Sequence, residues 1–336
     1  MQKRRPYWIA VIFILFSFFS LAQQDSVTYA ERLGFPKGTR VIIFHVDDAG
    51  MSFDSNKGAI EALEKGMASS TSVMMPCPWV PGFVHYLREH PGTDAGLHLT
   101  LTSEWKDYRW GPLSGRTTVP GLVDKEGDLW PDVADVVKHA SLSEVEKEIR
   151  AQLERAKLMG FQPTHLDSHM GTLFANSGLI QLYVRIGMEY KIPVMFPGGH
   201  NTMVGEQMRF TKATLEMTRQ VGAMLWKSGL PVLDDLHNLS YDWILPAGIQ
   251  PTKENWKKYK LDQYEKTLRA LRPGVTMVIM HCTVPSGSFA YISDSGPARE
   301  ADLMVMLDPG FKQFIHDEGI IITTWKELKE RRDKVN

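Results

Sequence analysis

The chain has 336 residues, of which 43% are hydrophobic and 23% charged, and its formal net charge is -1. That length holds one large domain or two small ones, with apolar residues enough for a sizeable core. The near-neutral balance argues against partners held by charge, such as a nucleic-acid backbone or an anionic membrane surface.

The N-terminus reads as a secretory signal peptide over residues 1–22. Lys3, Arg4 and Arg5 form a basic start, an apolar run covers 7–22, and Ser20-Leu21-Ala22 is a small-x-small cleavage pattern. A retained membrane anchor is the alternative. The run is shorter than the ~20 residues of a comfortable span, which favours cleavage and no stable membrane insertion of the mature chain. The protein is then exported, periplasmic or secreted, with 23–336 as a single catalytic domain of unassigned oligomeric state. Export permits a disulfide, but Cys77 and Cys282 are far apart in sequence and read equally well as two buried thiols.

Short β-rich runs then alternate with helical patterns. A strand at 39–46 precedes a helix at 56–66 closed by Gly66. Strand 70–75, helix 82–92 and strand 94–99 follow. An irregular stretch at 103–140, rich in Gly, Pro and Trp, is long enough to suggest function. Helix 141–160 carries a capping box placed at Ser143 and Glu146. Strand 163–169, helix 176–190, strand 192–196, helix 212–228 and a strand near 231–236 come next. Helix 260–271, strand 275–281, helix 298–307 and strand 320–324 complete the chain. About eight strands in β-then-α order predict a parallel sheet with helical crossovers, and the number favours a (β/α) barrel-like α/β fold.

In such folds the C-terminal ends of the strands carry the site. Four of them carry Asp or His: Asp47-Asp48, His98, the group His165, Asp167 and His169, and His281. Alone, an aspartate here could cap a helix, and His98 or His165 could be a packed core histidine. Strand periodicity, however, puts His165, Asp167 and His169 on one face, and three polar groups facing an apolar core would cost heavily in desolvation. Imidazoles and a carboxylate are natural ligands for a divalent metal, and two His with one carboxylate leave positions open for water and substrate. Adjacent aspartates allow one to bind metal and the other to act as general base. Since they point to opposite sides of an extended strand, a turn at Ala49-Gly50 is expected to redirect one of them. The chemistry this suggests is hydrolytic.

The segments "VDDAG" (46–50), "GLHLTLT" (96–102) and "PTHLDSH" (163–169), with "VIMHC" and "ARE-AD" further on, resemble the YdjC-like carbohydrate deacetylases, which include the chitooligosaccharide deacetylases. The resemblance covers roughly residues 38–330. It implies a barrel-like fold, a divalent metal (Mg2+ or Zn2+) and removal of acetyl groups from N-acetylated oligosaccharides by metal-activated water. Carried over by motif, Asp48, His98 and His169 are the metal ligands, Asp47 the general base and His281 the acid for the leaving amine. His165 or Asp167 would orient a ligand from behind. Trp105 and Trp110, in the irregular stretch, would offer faces to a sugar ring or else anchor their loop. The family usually reads Asn-Ala-Asp-Asp-Phe-Gly where this chain has His45 to Gly50, which bears on the substrate more than on the metal. A metal-dependent esterase or phosphoesterase, and an inactive carbohydrate-binding relative, are the competing readings.

Overall fold

Strand β1, Arg40–Ala49, is the axis of the molecule. The computed structural model describes residues 27–335, so the leader read at 1–22 lies outside it. Six further strands follow: β2 (Ser70–Val73), β3 (Ala95–Leu99), β4 (Leu166–Ser168), β5 (Asp235–His237), β6 (Gly274–Met280) and β7 (Ile321–Ile322). All pairings between them are parallel, in the order β4-β3-β2-β1-β6-β5, with β7 beside the start of β1. Two single parallel bridges, Leu166 to Val194 and Pro197 to Leu233, carry the pairing on from β4 towards β5. The sheet therefore curls into a barrel-like ring whose wall is thinnest at 193–199. This is the (β/α) barrel-like fold that the alternation implies. Of the eight expected strands, the fifth, 192–196, is reduced to the single bridge at Val194, and the strand near 231 begins at Asp235.

Strand alternation sorts β1 into two environments. Ile42, Phe44 and Val46 pack outward with helix residues such as Ala59, Leu303 and Phe311. Val41 and Ile43 pack inward with Val275, Met277 and Trp325. His45 and Asp47 continue that inward column, so its lower half is apolar and its upper half polar. The barrel interior is crowded at the join: a Cβ on Gly96 would lie 2.5 Å from the His165 ring, so glycine is required there.

Several helix ends differ from expectation for identifiable reasons. Helix Leu142–Leu158 is capped by Ser141, which accepts the amide of Glu144 while Glu144 reaches back, so the capping box lies two residues before Ser143 and Glu146. Helix Phe53–Glu64 starts at the Ser52 cap. Gly66 does not close it with a left-handed turn; its place is set by the Met306 carbonyl, 2.9 Å from where a Cβ would sit. Helix Lys253–Arg269 begins seven residues before the expected start, at the Thr252 cap. Both cysteines are buried free thiols. No helix among the described residues is long and apolar enough to cross a membrane.

Candidate metal centre

The two aspartates do not lie in a turn. Both belong to β1, and the redirection occurs at Asp48 itself, whose φ is +68°. The register against β2 shifts between Val46 and Ala49, which marks a bulge. One left-handed residue turns the Asp48 carboxylate to the same mouth that Asp47 reaches by alternation.

His98 comes from β3 and is the lateral neighbour of Asp167 on β4. His169 stands just past β4, where a short turn with positive φ at Met170 and Gly171 follows. Oxygen or nitrogen atoms of Asp48, His98 and His169 all lie within 4.8 Å of one another. Asp48 Oδ1 is 3.5 Å from His98 Nε2 and 3.5 Å from His169 Nδ1.

Each of these three side chains is held from behind by a charged group. Arg299, from helix Gly296–Met306, places its guanidinium 2.7 Å from Asp48 Oδ2. Asp167 Oδ1 is 2.8 Å from His98 Nδ1. Both carboxylate oxygens of Glu104 are 3.1 Å from His169 Nε2. What remains free faces inward: Asp48 Oδ1, a buried atom with no hydrogen-bond partner, and one nitrogen of each imidazole.

The electrostatics favour positive charge at this point. Burial alone would lower His169, but Glu104 and Asp48 outweigh it and lift it to about 9. His98 is likewise raised, against burial, by Asp167 and Asp47. Burial would raise Asp48, yet Arg299 and the two histidines hold it well below the usual carboxylate range. A field that binds protons this firmly fits a divalent cation, and so does the orphaned Asp48 oxygen.

Asp47 stands beside the trio. Its Oδ2 is 3.7 Å from His98 Nε2 and 3.8 Å from His281 Nε2. His45 lies beneath it, with Nε2 3.1 Å from Asp47 Oδ1 and 2.9 Å from Asp167 Oδ2. Burial would lower His45, but these two carboxylates raise it to about 9. His281 is held down to about 4 by burial and then by Arg299, so it is neutral near pH 7. His165 stays below the group: it stacks on Trp325 at 5.2 Å, meets the edge of the His45 ring, and is pushed down by burial.

The aromatics of the irregular stretch are packed rather than presented. Trp110 is 4% exposed and donates its indole N–H to the Thr102 carbonyl; Trp105 is 9% exposed and meets Trp110 edge-on at 5.5 Å. The aromatic with a free face at the mouth is Tyr241, 44% exposed and 4.9 Å from the His281 ring. Glu104, Arg299 and Tyr241 escaped the sequence reading as site residues, although Arg299 lies in the quoted "ARE-AD" segment.

The carbohydrate deacetylase of Thermus thermophilus is 29% identical over 300 residues, covering 89% of this chain and 97% of that protein. The chitooligosaccharide deacetylase of Serratia marcescens is 34% identical over 133 residues, or 39% of this chain and 49% of that one. A solved structure of an Enterococcus faecalis protein named for cellobiose-phosphate cleavage has the same fold, with a TM-score of 0.67 at 22% identity over 86% of this chain and 99% of the other. The family model for YdjC-like proteins matches residues 41–317, a span that contains every side chain of the centre described above, and the chain belongs to that family.

Proposed function

We propose that the protein is a metal-dependent carbohydrate deacetylase acting on N-acetylated oligosaccharides. The observation that carries this reading is the convergence of Asp48 Oδ1, His98 Nε2 and His169 Nδ1 on one point with Asp47 and His281 beside it. Two deacetylases among the relatives support the choice of bond.

Asp48, His98 and His169 would hold a divalent metal, which supplies a Lewis acid for the acyl oxygen and for water. Asp47 takes the proton from the attacking water, and His45 beneath it keeps the carboxylate aimed at the mouth. Amide cleavage needs a proton on the departing nitrogen, since an amine anion does not leave. His281 is neutral in the resting site, so it delivers that proton only after receiving one, and Asp47 at 3.8 Å is the near source. Overall one C–N bond and one water O–H bond break, and a C–O and an N–H bond form. The N-terminal pattern supports export as part of the same proposal, and the mature N-terminus of the expressed protein would show cleavage after Ala22.

The test is acetate release from chitooligosaccharides by purified protein with added Mg2+ or Zn2+. Asp47→Asn should abolish turnover while metal content stays the same. No acetate from a panel of acetylated sugars, with turnover of esters or phosphoesters instead, would replace the amide with another bond. Sugar affinity that survives both chelation and Asp47→Asn, without turnover, would leave a binding protein.

A further inference from the structure

We propose that Glu104 is a positioning residue that selects which nitrogen of His169 faces the cation. The proposal rests on Asp48, His98 and His169 holding a divalent metal. An imidazole binds a cation as the neutral ring, giving up its second proton, so the bound form carries one N–H and one lone pair. Glu104 has only acceptor oxygens when ionised, and both lie 3.1 Å from His169 Nε2. The N–H must therefore sit on Nε2, because a lone pair there would face two carboxylate oxygens. That leaves the Nδ1 lone pair directed at the point shared with Asp48 Oδ1, 3.5 Å away.

The two histidines of the centre are arranged in opposite senses. Asp167 fixes His98 through Nδ1 and frees Nε2. Glu104 fixes His169 through Nε2 and frees Nδ1. Asp167 comes from the strand next to His98, so the sheet itself places it. Glu104 comes from the irregular stretch, so something else must place it. Its neighbours do so: the Ser103 amide bonds the Trp130 carbonyl, the Ser103 hydroxyl accepts the Trp110 amide, and Trp105 packs on Trp110. The buried tryptophans thus act on the metal at one remove, by holding the carboxylate that orients a ligand.

The experiment uses the full mature chain, stripped with a chelator and titrated with Zn2+ against a chromophoric competitor. Wild type should bind one ion. Glu104→Ala should weaken binding by about 10- to 100-fold, the usual loss when such a partner is removed. Glu104→Gln, whose amide oxygen still accepts from Nε2, should lose less and also covers the case in which the alanine variant fails to fold. Both metal-free variants should still unfold cooperatively, although losing the Glu104–His169 ion pair lowers the Glu104→Ala midpoint; Zn2+ affinity, not stability, reads the ligand-orienting role. The visible spectrum of the Co2+ form should change in Glu104→Ala and stay close to wild type in Glu104→Gln. Equal Zn2+ affinity in wild type and both variants overturns the role of Glu104 and leaves the metal centre standing. Absence of binding by wild type overturns the centre, and the role of Glu104 with it.

Discussion

Tyr241 is the residue whose position most changes the view of substrate contact. One side of its ring meets the Arg299 guanidinium at 5.2 Å, and the ring lies tilted against that of His281 with centroids 4.9 Å apart. The exposed remainder is a flat surface beside His281, the residue proposed to protonate the leaving group. Tyr241→Ala should raise KM for an acetylated oligosaccharide by about 2- to 10-fold, in line with the ~0.5–1.5 kcal/mol of an aromatic contact, with kcat changed less. Tyr241→Phe, which keeps the ring, should lie closer to wild type than Tyr241→Ala; steady-state kinetics on one oligosaccharide separates the two. The trio Asp48, His98 and His169 was legible in the sequence because ligand-type side chains at strand ends stand out against apolar runs. Glu104, Arg299 and Tyr241 were not, because they reach the mouth from a loop, a helix and a short turn, where spacing carries no directional signal. Trp110 shows the opposite hazard. An aromatic in a loop looks like a binding face until its indole N–H is seen bonded to Thr102.

At the scale of the element, caps decided more than periodicity did. Ser141→Ala should cost about 1 kcal/mol in the denaturant unfolding free energy, the typical loss of an N-cap. Ser143→Ala, within the first turn, should stay within about 0.5 kcal/mol, as surface substitutions do. The sequence placed this helix correctly yet misread its start, because two serines two residues apart each had a glutamate three positions on. Helix Lys253–Arg269 was cut short for another reason. Its first turns read Lys-Glu-Asn-Trp-Lys-Lys, too polar for an apolar stripe, although Thr252 accepts the Asn255 amide as a cap should. Helices Pro309–Asp317 and Trp325–Asp333 went unread, despite the caps Asp308 and Thr324. The strand expected at 192–196 had the composition of a buried strand and the burial followed, but pairing did not, since burial and ladder formation are separate demands.

For the molecule as a whole, the barrel-like ring was legible because β-then-α alternation admits few topologies. The short β5 end carries a consequence for global stability. His237 is buried against Trp243 with Nδ1 unpartnered, and burial holds it down to about 4. The unfolded chain, with an ordinary histidine near 6.5, binds the extra proton first as pH falls. The contribution of His237 is therefore complete above about pH 6.5 and is lost as pH falls through about 4. In urea titrations of the metal-free protein, the fall in midpoint between pH 7 and pH 5 should be smaller in His237→Phe than in wild type. The order of pairing carries a second consequence. β1 lies near the start of the described chain, yet two of its partners, β6 and β7, come from residues 274–280 and 321–322, and Arg299 behind Asp48 lies between them. Contacts this distant in sequence form late and slowly. A nascent chain emerging from the ribosome can build helices and the β1-β2-β3 edge, but it cannot close the ring around Asp48 until nearly all of it has been made. The centre is thus withheld from any partial product of synthesis, and the pocket proposed to hold a metal is complete only when synthesis is nearly over.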